Sequence, residues 1–133
     1  MAAKEGFTIE LACDDGEWWR YNVVFTCGLF DREDRRMGFA TAEDKVVEVG
    51  GEVTDAMKRK QREIACQTEV CDHVLAYLYI IPHTLPEDNE IKNDAFDIEL
   101  KINYAGKEVG RKTCAINRWS GASLELKFGQ KGW

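Results

Sequence analysis

The chain has 133 residues, 44% apolar and 32% charged, with a net charge of −6. That length fits one domain that buries a core without staples, and the apolar content excludes a disordered chain. The acidic balance argues against nucleic acid or a bare anionic membrane as partner.

"FTIELAC" places Phe7, Ile9, Leu11 and Cys13 on one parity and Thr8 and Glu10 on the other, a half-buried strand. Asp14 to Gly16 supplies a turn. Glu17 to Phe30 then reads as one long strand. Trp19, Tyr21, Val23, Phe25, Cys27 and Leu29 point inward, and Trp18 and Arg20 outward; Gly28 marks a bulge or bend. Asp31 to Gly38 reads as a charged connection. Lys45 to Val49 reads as a short strand stopped by Gly50 and Gly51. Thr54 caps one helical turn at most, and "REIACQ" (Arg62 to Gln67) returns to strand.

His73 to Ile81 is apolar on both parities and ends at Pro82, so it is expected as a central strand covered on both faces by a loop, a helix or another chain. Pro82 to Glu90 is a long connection. Phe96, Ile98, Leu100, Ile102 and Tyr104 share one parity of the next strand. Ala105-Gly106 follows as a hairpin turn. This register pairs Ile102 with Val109 and Glu99 with Lys112, and a bulge near Gly110 is needed to return Cys114 and Ile116 to the apolar side. Asn117 to Ser123 is a loop, Leu124, Leu126 and Phe128 face inward on a last strand, and residues 129–133 form a frayed tail.

Seven or eight strands with little helix predict an all-β fold: one two-layer antiparallel β-sandwich spanning residues 1–133, with a small barrel as the competitor. The longest apolar stretch, Val74 to Ile81, is too short to span a bilayer, and the first residues lack the apolar core of a secretory signal. A soluble, cytoplasmic protein is therefore expected. Five cysteines, an odd number without a CxxC, read as reduced and partly buried thiols.

"DHVLAYLYIIPHTLPEDNEIKNDAFDIELKI" followed by "NRWSGASLEL" resembles uncharacterised bacterial β-sandwich proteins of C2-like architecture. The resemblance covers the C-terminal half. It implies two packed Greek-key sheets with loops grouped at their ends, and it implies no activity.

Calcium needs six to eight oxygens converging from loops. Asp14, Asp15 and Glu17, then Asp31, Glu33 and Asp34, then Glu87, Asp88, Glu90 and Asp94 offer carboxylates. The metal candidates are Asp14, Asp15, Asp31, Asp34 and Asp88. Arg32, Arg35 and Arg36 interrupt the second cluster, and solvated turns are the plainer reading. An exposed Trp can stack on a sugar or anchor a protein, which nominates Trp18, Arg20 and Trp119 as binding residues; burial beneath loops is the plainer reading for the two tryptophans. Cys71 and His73, two apart on one strand face, are the only nucleophile–base pairing worth weighing, with Cys66 and His83 as further recruits, and no oxyanion hole accompanies them. The two histidines and scattered cysteines lack zinc spacing. "KRKQR" (Lys58 to Arg62) reads as a solvated charge run.

These readings predict a non-enzymatic binding or assembly module without a cofactor. Its partner is a protein, a second copy included, and membrane contact is expected only through calcium. The alternatives are calcium-dependent C2-like binding of lipid or another ligand, and a carbohydrate-binding sandwich.

Overall fold

The computed structural model describes residues 6–58, 62–85 and 95–131. Eight strands form two antiparallel sheets of four, a two-layer β-sandwich. They are β1 (Phe7–Ala12), β2 (Tyr21–Phe30), β3 (Arg36–Asp44), β4 (Ile64–Gln67), β5 (His73–Pro82), β6 (Ala95–Tyr104), β7 (Lys107–Asn117) and β8 (Ala122–Gly129). One sheet runs β4-β1-β6-β7 and the other β3-β2-β5-β8. Two short 3-10 turns, Trp18–Arg20 and Asp55–Met57, are the helical elements among the described residues.

The alternation of apolar side chains puts Phe7, Ile9 and Leu11 of β1 and Phe96, Ile98, Leu100 and Ile102 of β6 against Tyr21, Val23, Phe25, Cys27 and Leu29 of β2 and Val74, Ala76, Leu78 and Ile80 of β5. Leu126 and Phe128 of β8 are buried and Leu124 is half-buried, as their parity requires. Phe7 joins the layers, with its ring 4.7 Å from that of Tyr104 and 5.3 Å from that of Phe128.

Three local expectations are corrected. The strand expected from Glu17 begins only at Tyr21. Asp15 accepts the Glu17 amide through Oδ1 (2.8 Å) and the Trp18 amide through its carbonyl (3.1 Å), which curls the chain into the first 3-10 turn. The expected charged connection holds the start of β3, while Lys45 to Val49 is irregular. Buried Asn22 holds that irregular stretch as a strand neighbour would: its Oδ1 accepts the Val46 amide (2.7 Å) and its Nδ2 donates to the Val47 carbonyl (2.7 Å). Finally, the bulge expected near Gly28 falls between Leu29 and Phe30 in the pairing with β3.

The Ala105-Gly106 hairpin forms with φ of 51° and 84°, the left-handed values of a primed turn. A bulge opposite Ile102 and Asn103 shifts the register, so that Ile102 pairs with Gly110 and Glu99 with Thr113, and Ile116 returns to the core. After β7, Gly121 adopts φ +70° with its Cα pressed on β5; an added Cβ would lie 2.0 Å from the Ile80 carbonyl oxygen. Gln130 donates to the Cys71 carbonyl (3.2 Å) and contacts the Tyr104 hydroxyl (3.1 Å), so the expected fraying does not begin at Gly129.

Candidate binding surface

The outer faces of the two sheets differ in chemistry. On β4-β1-β6-β7 the outward positions form ion pairs: Lys101 with Glu10 (3.1 Å), and Arg111 with both Glu99 and Glu108 (2.7 Å each). That is an ordinary solvated face. On β3-β2-β5-β8 the outward parity of β5 carries His73, Leu75, Tyr77, Tyr79 and Ile81. Their outward neighbours follow from the register: Thr26 and Thr41 beside Tyr77, Val24 and Glu43 beside Tyr79, Gly28 and then Phe39 beside Leu75. Tyr77 and Tyr79 are each 37% exposed, Ile81 39%, and Phe39 61%. The two tyrosine rings lie 6.5 Å apart and 18° from parallel. Gly28 has no side chain between Phe39 and Leu75, and the Phe30 ring leans over it. The cover expected on both sides of β5 is therefore supplied by the core on one side only, and these outward side chains keep a substantial exposure.

The end of this face is ionic. His73 Nδ1 meets Asp72 (2.9 Å) and Nε2 meets Asp34 (2.8 Å), while its ring stacks on Phe30 at 5.3 Å and 7°. Both carboxylates favour the imidazolium, Asp72 first, and raise the pKa of His73 above its ordinary value. Phe30, Asp34, His73, Leu75 and Lys127 line an open cleft of about 480 Å³ that continues from the aromatic face.

The sequence-nominated residues lie elsewhere. Trp18 is 2% exposed: its ring stacks on Tyr21 (5.9 Å), meets Phe96 edge-on (5.8 Å) and receives the Arg62 guanidinium (5.0 Å). Arg20 is also buried, bonded to Glu17 and to the Leu85 carbonyl (2.7 Å each) and lying 4.6 Å from the Trp19 ring centre. Their outward assignment fails because the 3-10 turn breaks the strand parity that it assumed. Trp119 is half-buried in a turn whose amides at Trp119 and Ser120 donate to Asn117 Oδ1 (2.9 and 3.0 Å).

The carboxylates do not converge. Asp15 is held by both Arg118 terminal nitrogens (3.0 and 2.5 Å), which lowers its pKa. Asp31 caps its own turn, accepting the Glu33 and Arg35 amides (2.9 Å each) and the Arg35 side chain (3.0 Å). Asp34 is taken up by His73, Asp14 is exposed, and Asp88 lies outside the described residues. Among the described residues no three His, Cys, Asp or Glu side chains group as metal ligands.

The cysteine–histidine pairing also fails. Cys71 packs in the core with its pKa raised, chiefly by burial, whereas both nitrogens of His73 are engaged by carboxylates. His83 is buried, donates from Nε2 to the Trp19 carbonyl (2.7 Å) and meets Thr84 through Nδ1 (2.8 Å). The basic run is not wholly solvated. The Arg62 side chain is fully buried and donates to the Trp18 and Tyr21 carbonyls (2.8 and 2.9 Å) and to Asp44 (3.1 Å); residues 59–61 lie outside the described residues.

Fold and surface together define an eight-stranded antiparallel sandwich among the described residues, with one ion-paired outer face and one on which exposed aromatics stand beside the Lys127–Glu125 pair (3.8 Å). No family model matches the chain and no curated protein does. Among solved structures it is similar to a DUF4425 family protein from Bacteroides ovatus and to a DUF4425 domain of unknown function from Bacteroides vulgatus. Each is 12% identical with a TM-score of 0.41; 93% of this chain is covered, and 93% and 92% of theirs. Both neighbours are bacterial and uncharacterised, as in the resemblance drawn from the C-terminal half, and neither carries the C2-like name. The likeness is too distant to carry a functional argument. No helix among the described residues is long and apolar enough to cross a membrane.

Proposed function

We propose that this chain is a C2-like, non-enzymatic binding module that docks a protein partner on the outer face of β3-β2-β5-β8. The contrast between the two outer faces carries the reading. The same fold surrounds one sheet with ion pairs and leaves Tyr77, Tyr79, Ile81 and Phe39 exposed on the other. Exposed aromatic residues are enriched at the centres of protein interfaces, and here Tyr77 and Tyr79 stand among the polar Thr26, Thr41, Glu43 and Glu125. The His73–Asp34–Asp72 group then acts as a polar rim at one end. The calcium alternative loses support because Asp15 and Asp31 already have partners. The adjacent tyrosines keep a carbohydrate ligand as a second reading, which a glycan array addresses.

The test uses three immobilised baits: the wild-type chain, Tyr77→Lys with Tyr79→Lys, and a control with Thr113→Lys and Ala115→Lys on the opposite face. Proteins retained by wild type should be lost from the tyrosine variant and kept by the control. Light scattering on the same three samples shows whether a second copy is the partner. If both double variants retain the same proteins and the same mass as wild type, the reading fails.

A further inference from the structure

Cys27 faces inward from β2 and Cys66 faces inward from β4, so they belong to opposite sheets. Their sulfurs lie 3.8 Å apart in the core, and both residues are at most 1% exposed. A disulfide bond is about 2.05 Å long, so the sulfurs need to close by roughly 1.8 Å. β4 is the part of the core best able to supply that movement, because it has four residues and sits at a sheet edge, with β1 as its one strand partner among the described residues. A third buried thiol, Cys71, follows β4 and serves as an internal control.

We propose that Cys27 and Cys66 are a modification site, forming an intersheet disulfide when the chain meets a small disulfide donor such as oxidised glutathione. One protein thiol loses its proton and attacks the donor disulfide, giving a mixed disulfide and releasing one donor thiolate. The second protein thiolate attacks the bonded protein sulfur and releases the other donor half. The two protein thiols lose two electrons and two protons, and the donor is reduced to two thiols. The bond spans 39 positions of chain and ties the β4 edge to the facing sheet, which restricts the unfolded state and stabilises the folded one. The proposal is independent of the partner-binding face, which uses neither cysteine.

The full chain is refolded from urea in a glutathione redox buffer, so that burial does not limit oxidant access. Remaining thiols are alkylated, and peptides are mapped without reduction. The expected product has one disulfide, Cys27–Cys66, with Cys13, Cys71 and Cys114 alkylated, and melts about 10 °C above the reduced chain. Cys71→Ala should give the same cross-link. Five alkylated thiols, a cross-link through Cys71, or a lower melting temperature in the oxidised chain would overturn the proposal.

Discussion

Arg62 illustrates how one side chain organises a junction. Its guanidinium is withdrawn from water among the Trp18 and Tyr21 carbonyls, the Asp44 carboxylate and the Trp18 ring. A buried charge is tolerated when its donors are satisfied, and removing it strands the acceptors that it served. Arg62→Met should therefore lower stability by about 3–5 kcal/mol, read as a fall in the urea midpoint with an unchanged slope. A loss below about 0.5 kcal/mol would place the guanidinium in solvent. None of this was legible in "KRKQR", where composition describes a solvated run. Burial of Arg62 depends on Trp18 and Tyr21, which are more than forty positions away. The same limit explains Trp18 and Arg20. Parity assigns a strand's faces only from the residue where the strand begins, and the Asp15 side chain delays that start to Tyr21.

Elements with large inward side chains were legible because burial of those side chains sets their period: β1, β2, β6 and β8 follow it, whereas β5, apolar on both parities, was legible as a strand but not in which face it buries. The Ala105-Gly106 hairpin was legible from turn chemistry, together with the need for a bulge to return Ile116 to the core. β3 was not, because its pattern is inverted in size. Ala40 and Ala42 face the core and Phe39 faces out, so its largest apolar residue marks the wrong side. The turn into β3 is pinned to the start of β5 by Asp34 and His73, and that link depends on pH. Hydrogen bonds to Asp72 and Asp34 raise the folded-state pKa of His73 above its unfolded value. The link thus contributes fully below about pH 6 and is lost as pH rises through the folded pKa. Relative to His73→Gln, the wild-type melting temperature should fall as pH rises above about 6, and Asp34→Asn should reduce that difference. Parallel pH profiles for wild type and His73→Gln would remove the proposed role of His73.

At the scale of the molecule, both sheets combine strands from both halves of the chain. β1 pairs with β6 from Phe7↔Tyr104 onward, and β5, the partner of β2, completes its sheet with β8. Residues 1–85 alone can supply β4-β1 and β3-β2-β5, but Val23, Phe25 and Leu78 would lose Phe96, Ile98, Leu100 and Ile102 from the facing layer. Removing these buried side chains takes away about 1.5–3 kcal/mol each, in sum comparable to the whole stability of an ordinary domain. Unfolding of the intact chain should accordingly be one transition. Residues 1–85 expressed alone should show undispersed amide resonances and no cooperative melt. The aromatic face, built from β2, β3, β5 and β8, should likewise be absent from that fragment, so any partner of the full chain should fail to bind it. A folded fragment with dispersed amides would show that the layers do not depend on each other, and would make β3-β2-β5 an autonomous unit to which the docking face could be reduced.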